Sequence, residues 1–334
     1  MRVPAKLTMG DEVRVVALSR TLGGVIEWVG TTEQDIAFAV RNLESLGLKV
    51  SFGRHVRECN PHLTTSPERR LKDFHEALGD PAVKAVLAVT GGVGAIQMLE
   101  GIDYGLVAAH PKVICGYSDI TNLCSAVYAR TGLVTYYGPH FTTFMMRKGL
   151  DYTLHNFRQC LFESGPFELC PAKEWSDDAW HKDQENRTFL PNEGLWIIQA
   201  GEAEGTLVGG AHTCLNLLQG SSYFPPLQDA IVFLESPAEG KATLMALDSS
   251  LRALSFQPGF SGVRGIAIGR YARSGEVTRE KLTALIGANA SLKHLPVVAN
   301  CDFGHISPIL TLPVGGRGRL EATQEKASIT VTVH

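Results

Sequence analysis

Residues 112–121 read Lys-Val-Ile-Cys-Gly-Tyr-Ser-Asp-Ile-Thr: an apolar run, a glycine, then polar residues that open a helical pattern. Lys112–Cys115 has the composition of a buried strand, and a helix is expected from about Ile120 to Ala129. Ser118 then stands on the turn between them, at a strand's carboxyl end. The same alternation runs upstream. Val13–Leu18 reads as a first strand, and Thr32–Leu46 as an amphipathic helix with early acids (Glu33, Asp35) and Gly47 as its stop. Lys49–Phe52 reads as a second strand. Ser66–Leu78 is a helix opened by Ser66-Pro67-Glu68, because proline in the first turn gives up only an N–H that has no helical partner. Ala85–Val89 is a third strand, ending in Thr90-Gly91-Gly92. Short apolar runs alternating with helices predict a parallel sheet with crossover helices. Such a sheet places its chemistry beyond the carboxyl ends of its strands, where both Ser118 and the Gly91-Gly92 turn fall.

Composition changes after about residue 150. Residues 161–205 carry glycine, proline, acids and Trp175, Trp180 and Trp196, with little periodicity, as a functional loop or linker does. A Gly-rich turn (Gly205, Gly209, Gly210) follows. Beyond it come strand Ala230–Leu234, a helix near 241–253, strands Gly265–Ile268 and Val297–Asn300, and short closing strands at Leu310–Pro313, Leu320 and Ala327–Val333. The expected organisation is an α/β domain over 1–160, an inter-domain segment over 161–205 with a Trp-containing loop, and a smaller β-rich domain over 206–334.

The 334 residues suffice for two domains, and 44% hydrophobic with 19% charged residues is the balance of a globular protein with a sizeable core. A net charge of −3, with no basic run, gives no reason to expect nucleic acid or an anionic membrane as partner. The N-terminus lacks a signal-peptide stretch, and no window approaches the ~18 apolar residues of a membrane helix. Seven cysteines scattered singly, without CxxC spacing, point to reduced thiols in a cytoplasm.

Four places could carry chemistry. Ser118 sits where a turn would push its hydroxyl outward and where free N–H groups of the next helix would face a developing oxyanion. The GxSxG pattern is incomplete, since Ile120 replaces the second glycine, so Ser118 or Asp119 read alone could equally cap that helix. Gly91-Gly92 is either a plain tight turn or an oxyanion donor, glycine letting an N–H approach a substrate oxygen closely. Glu235 ends an apolar strand, where it is either placed to orient a histidine or simply a solvated strand terminus. His305 lies between Gly304 and Pro308 in a shaped loop, and no histidine pair has HExxH metal spacing.

Read together, these segments resemble the LD-carboxypeptidase family, which includes the microcin C self-immunity peptidases. The stretches that carry the resemblance fall in family order over nearly the whole chain. They are Gly10-Asp11-Glu12-Val13, Asp73-Phe74-His75, the run from Asp80-Pro81 to Val86, Gly91-Gly92, Asp103-Tyr104 and Pro111-Lys112. Gly116-Tyr117-Ser118-Asp119-Ile120-Thr121 is the most specific. Gly138-Pro139, Leu207-Val208-Gly209-Gly210, Phe233-Leu234-Glu235, Pro258-Gly259-Phe260 and Asp302-Phe303-Gly304-His305 follow.

The resemblance implies a serine hydrolase with a Ser118–Glu235–His305 triad and an oxyanion hole from the N–H groups of Gly92 and Asp119. It implies an α/β nucleophile domain facing a β-rich domain, the active site in the cleft between them, usually in a homodimer. No metal or organic cofactor is implied. Ala17-Leu18-Ser19, Thr90 and Ala211 depart from the family's usual Ala-Pro-Ser, Arg and Asn. The segment Glu174–Trp180, with Glu193–Trp196 after it, looks like the long loop of the microcin immunity branch, where a loop aromatic stacks on a nucleobase. Gly91, Trp175 and Trp180 are therefore expected at the substrate, as a flap reaching over the cleft, with Trp180 favoured as nearer the loop's middle. The substrate class so implied is a peptidyl- or aminoacyl-nucleotide. A muropeptide LD-carboxypeptidase of cell-wall recycling is the alternative within the fold, and a non-catalytic nucleotide- or peptide-binding protein the alternative outside it.

Overall fold

The structure, a computed structural model, describes residues 1–237, 240, 242–323 and 326–334. The first half runs β1 (Glu12–Val16), α1 (Leu22–Val29), α2 (Glu33–Ser45), β2 (Lys49–Phe52), α3 (Pro67–Gly79), β3 (Val83–Ala88), α4 (Tyr104–Ala109), β4 (Val113–Cys115), α5 (Ile120–Thr131), β5 (Thr135–Tyr137) and α6 (Asp151–Phe162). Caps fix these elements locally. Thr32 and Asp35 form a reciprocal capping box on α2, and Ser66 accepts the Arg69 N–H ahead of Pro67 on α3. Each such cap is worth about 1 kcal/mol.

The second half continues with β6 (Phe167–Glu168), β7 (Glu174–Trp175), β8 (Leu190–Pro191), β9 (Trp196–Gln199), β10 (Gly201–Ala211), α7 (His212–Leu217), β11 (Ala230–Glu235) and α8 (Thr243–Ser255). It closes with β12 (Gly265–Gly269), α9 (Arg279–Ala288), β13 (Val297–Cys301), β14 (Leu312–Val314), β15 (Arg317–Ala322) and β16 (Ala327–Val333). The helix expected near 241–253 is α8, and Lys241 itself lies outside the described residues. None of the helices described is long and apolar enough to cross a membrane.

Two sheets organise the molecule. The first has the order β14-β5-β4-β3-β1-β2, parallel except for β14, which returns from far down the chain to run antiparallel on β5. The second has the order β6-β16-β15-β10-β11-β12-β13-β9, with β10 to β13 parallel and antiparallel strands on both flanks. Strand β11 shows why its sequence is apolar throughout. Ile231 and Phe233 face the core shared with the first sheet, while Val232 and Leu234 face a second core under α8 and α9. Each such side chain contributes about 1.5–3 kcal/mol by leaving water.

The expected Gly-rich turn at 205–210 is instead the far half of β10, the longest strand described. Glycine is demanded there by close approach. At Gly209, φ is +149° and an added Cβ would fall 1.8 Å from the Phe233 carbonyl oxygen.

Candidate active site

The chain leaves β4 and turns through Ser118, whose φ of +60° is one that side-chain-bearing residues rarely adopt. The turn lifts its Oγ to 2.9 Å from His305 Nε2, and His305 Nδ1 lies 2.7 Å from Glu235 Oε2. A carboxylate only accepts, so Nδ1 carries the imidazole hydrogen and Nε2 is left to accept from the serine. Glu235 ends β11 and is 1% exposed. Its other oxygen accepts a 2.6 Å hydrogen bond from the buried Tyr137 hydroxyl. Gly304 lets the histidine loop come this close: its φ is +119°, and a Cβ there would stand 3.0 Å from Glu235 Oε2. Such a relay can take a proton from Ser118 and steady the imidazolium that results.

Two residues brace the turn. His140 donates from Nε2 to the Tyr117 carbonyl at 2.8 Å, and its ring stacks on Tyr117 with centroids 3.9 Å apart. Burial pushes His140 down to about 3 and the Tyr117 phenol up to about 12, so both stay neutral at ordinary pH. Gly91 packs against the serine itself, where an added Cβ would lie 2.8 Å from Ser118 Cβ.

Asp119 precedes α5, yet its side chain makes no capping bond to that helix. Its carboxylate accepts instead from Ser19 Oγ at 2.6 Å, from the N–H groups of Gly94 and Ala95 at 2.7 and 2.8 Å, and from Asn122 Nδ2 at 3.0 Å. From the other side Arg70, fully buried, donates to the Gly94 carbonyl at 2.9 Å and to Gln97 Oε1 at 2.6 Å. The loop holding Gly92 is thus clamped at both its N–H and C=O groups.

The expected tryptophans part company. Trp180 is half-buried and stands edge-on to His181, centroids 5.9 Å apart; His181 stacks on Trp28 at 6.2 Å, and the Arg20 guanidinium covers Trp28 at 4.3 Å. This row ends beside the Gly92 turn, since a Cβ on Gly92 would meet Arg20 Cγ at 2.9 Å. Trp175 lies under Arg270 at 4.9 Å and lines, with Trp196 and Tyr271, a cavity of about 250 Å³ to which Ser118, Glu235 and His305 contribute no wall. Residues 177–187, which include Trp180, make several ties. Arg187 grips Asp178, Gln184 donates to the Met145 carbonyl, Lys148 donates to the Glu185 carbonyl, and Arg273 grips Asp177.

Sequence reading missed Tyr137, His140 and Arg70. The first two flank the quoted Gly138-Pro139 motif, a usable signal; Arg70 sits in an ordinary helical pattern and gave none. Replacing Tyr137 by Phe keeps the ring and deletes the bond to Glu235. We expect kcat to fall about tenfold with KM unchanged, and stability to fall by about 1.5–3 kcal/mol, as steady-state kinetics and thermal melts would report.

Residues 13–138 match the family profile described as the LD-carboxypeptidase N-terminal domain, and 204–320 that of the LD-carboxypeptidase C-terminal domain. The Bacillus subtilis protein YocD, whose name provisionally makes it a carboxypeptidase, is 44% identical over 330 residues, 99% of each chain. A crystal structure of an MccF-like protein from Bacillus anthracis matches with a TM-score of 0.97 at 44% identity, covering 100% of both chains. The microcin C7 self-immunity protein MccF, solved in complex with aspartyl sulfamoyl adenosine, matches with a TM-score of 0.88 at 25% identity, covering 100% of this chain and 99% of that one. Fold and likeness together define a two-domain serine peptidase-type hydrolase. The chain belongs to the LD-carboxypeptidase family.

Proposed function

We propose that the protein hydrolyses the amide bond of an aminoacyl- or peptidyl-nucleotide through an acyl-enzyme on Ser118. His305, oriented by Glu235, takes the Ser118 proton as Oγ attacks the carbonyl carbon. The N–H groups of Gly92 and Asp119 hold the oxyanion. His305 then protonates the leaving nitrogen, and a water activated by the same imidazole releases the acid. The observation that carries the nucleotide reading is the aromatic row Trp28–His181–Trp180, which starts from Arg20 beside the Gly92 turn and runs outward to Trp180. The sulfamoyl adenosine bound by the immunity protein MccF supports the same substrate class.

Trp180→Ala tests this reading on two substrates side by side. Loss of one base stack should lower kcat/KM on an aminoacyl-sulfamoyl-adenosine by roughly 1–3 kcal/mol, about 5- to 150-fold. A murein tetrapeptide, with no ring to stack, should be cleaved by the variant as well or as poorly as by the parent. Equal losses on both, with a lowered melting temperature, would show that Trp180 only packs the loop, and would favour the muropeptide class.

A further inference from the structure

Arg20 is held in place, and among the described residues its guanidinium has no hydrogen-bond or ion-pair partner. Its backbone N–H donates to the Gly91 carbonyl at 3.3 Å, its Cγ lies against Gly92, and its guanidinium carbon sits over the Trp28 ring, 4.3 Å from the centroid. Among the described residues no carboxylate lies within salt-bridge distance of it, and no acceptor takes any of its donors. Asp119 is the negative charge that it senses, and that carboxylate is already engaged by Ser19, Gly94, Ala95 and Asn122. A cation–π contact with an indole holds the guanidinium in place and uses none of its N–H donors. A partly desolvated cation without a partner is unfavourable by itself, and an anion arriving at that edge relieves it.

We propose that Arg20 is the anion anchor of the cleft, binding a carboxylate, phosphoryl or sulfamoyl group carried within a few bonds of the scissile amide. The assignment rests on the preceding section only in taking the Gly92 turn as part of the reacting site. In that position Arg20 determines specificity: it selects substrates with a negative charge beside the amide and takes no part in proton transfer.

Arg20→Gln and Arg20→Lys, made in the full chain, test this. The substrates are an aminoacyl-sulfamoyl-adenosine, a murein tetrapeptide and the same tetrapeptide as its C-terminal amide. On the anionic substrate that the parent cleaves, Gln should lower kcat/KM about 10- to 150-fold, mostly through KM, and Lys should recover part of the loss. A loss on the nucleotide alone assigns the anchor to the phosphoryl or sulfamoyl group, and a loss on the tetrapeptide alone to the carboxylate. The amide should change less than twofold, and labelling of Ser118 by an uncharged fluorophosphonate should keep its parental rate. Equal losses on tetrapeptide and amide would mean that Arg20 merely packs Trp28, and would overturn the proposal. If the parent neither labels nor turns over, the hydrolase reading fails by itself. Calorimetric titration with AMP and with the tetrapeptide then decides the anchor: weaker binding by the Gln variant upholds it, and unchanged binding overturns it.

Discussion

Alanine at Ser118 should leave a folded protein whose kcat is lower by about four to six orders of magnitude, because the acyl-enzyme can no longer form. His305→Ala should cost a comparable factor, and the double variant should be little worse than either. Nucleophile and base act in one step, so removing the second after the first removes nothing further. The 2.9 and 2.7 Å contacts that join Ser118, His305 and Glu235 motivate the expectation. Single-turnover assays on folded variants, checked by thermal melts, measure it. Near-normal turnover by Ser118→Ala would exclude the mechanism.

Asp119→Ala should also be severe, for a different reason. The carboxylate is the shared acceptor for Ser19, Gly94, Ala95 and Asn122, and it binds the turn that carries the nucleophile to the loop that carries Gly92. Its removal leaves buried donors without a partner, a loss of about 3–5 kcal/mol by analogy with a broken buried ion pair. If the Gly92 N–H moves as a result, kcat falls by a further ~10²–10³-fold, the size of a lost oxyanion donor. The backbone N–H of residue 119 is untouched by this change, so the kinetic loss reads out the loop alone. An Asp119→Ala protein that melts earlier but turns over normally below its melting temperature would show the carboxylate to be structural only.

Much of the first sheet could be read from the chain because its punctuation is local. Gly47 stops α2, Ser66-Pro67 starts α3, and Gly116 ends β4, each through the backbone freedom or capping of one or two residues. The candidate site residues were legible for a related reason: Ser118, Glu235 and His305 each sit at or shortly past a strand end that the apolar pattern announces. What escaped was non-local. Residues 205–210 look like a turn by their glycines, and only the neighbouring backbones of β11 and β15 make those glycines a strand. Strand β5 is three residues long and has no alternation to detect. Arg70 and Tyr137 are ordinary letters until folding sets them against Gly94 and Glu235. The ties that Gln184 and Asp177 make to Met145 and Arg273 escaped for the same reason, because their partners are distant in sequence.

The crossing of β14 into the first sheet bears on when the protein first becomes active. Ser118 and His305 are 187 residues apart, so at about 5–20 residues per second a ribosome makes the proposed nucleophile roughly 10–40 s before its proposed base. From the synthesis of β5 until β14 is made, β5 lacks this partner, and an unpaired strand edge invites wrong pairing. The segment that ends the interval leaves β13 at Cys301, delivers His305, and then covers that edge with Leu312–Val314. On the proposed mechanism, arming the serine and sealing the edge therefore fall within a few residues of each other, late in synthesis. A chain stalled before residue 305 would have neither its base nor the strand that covers β5.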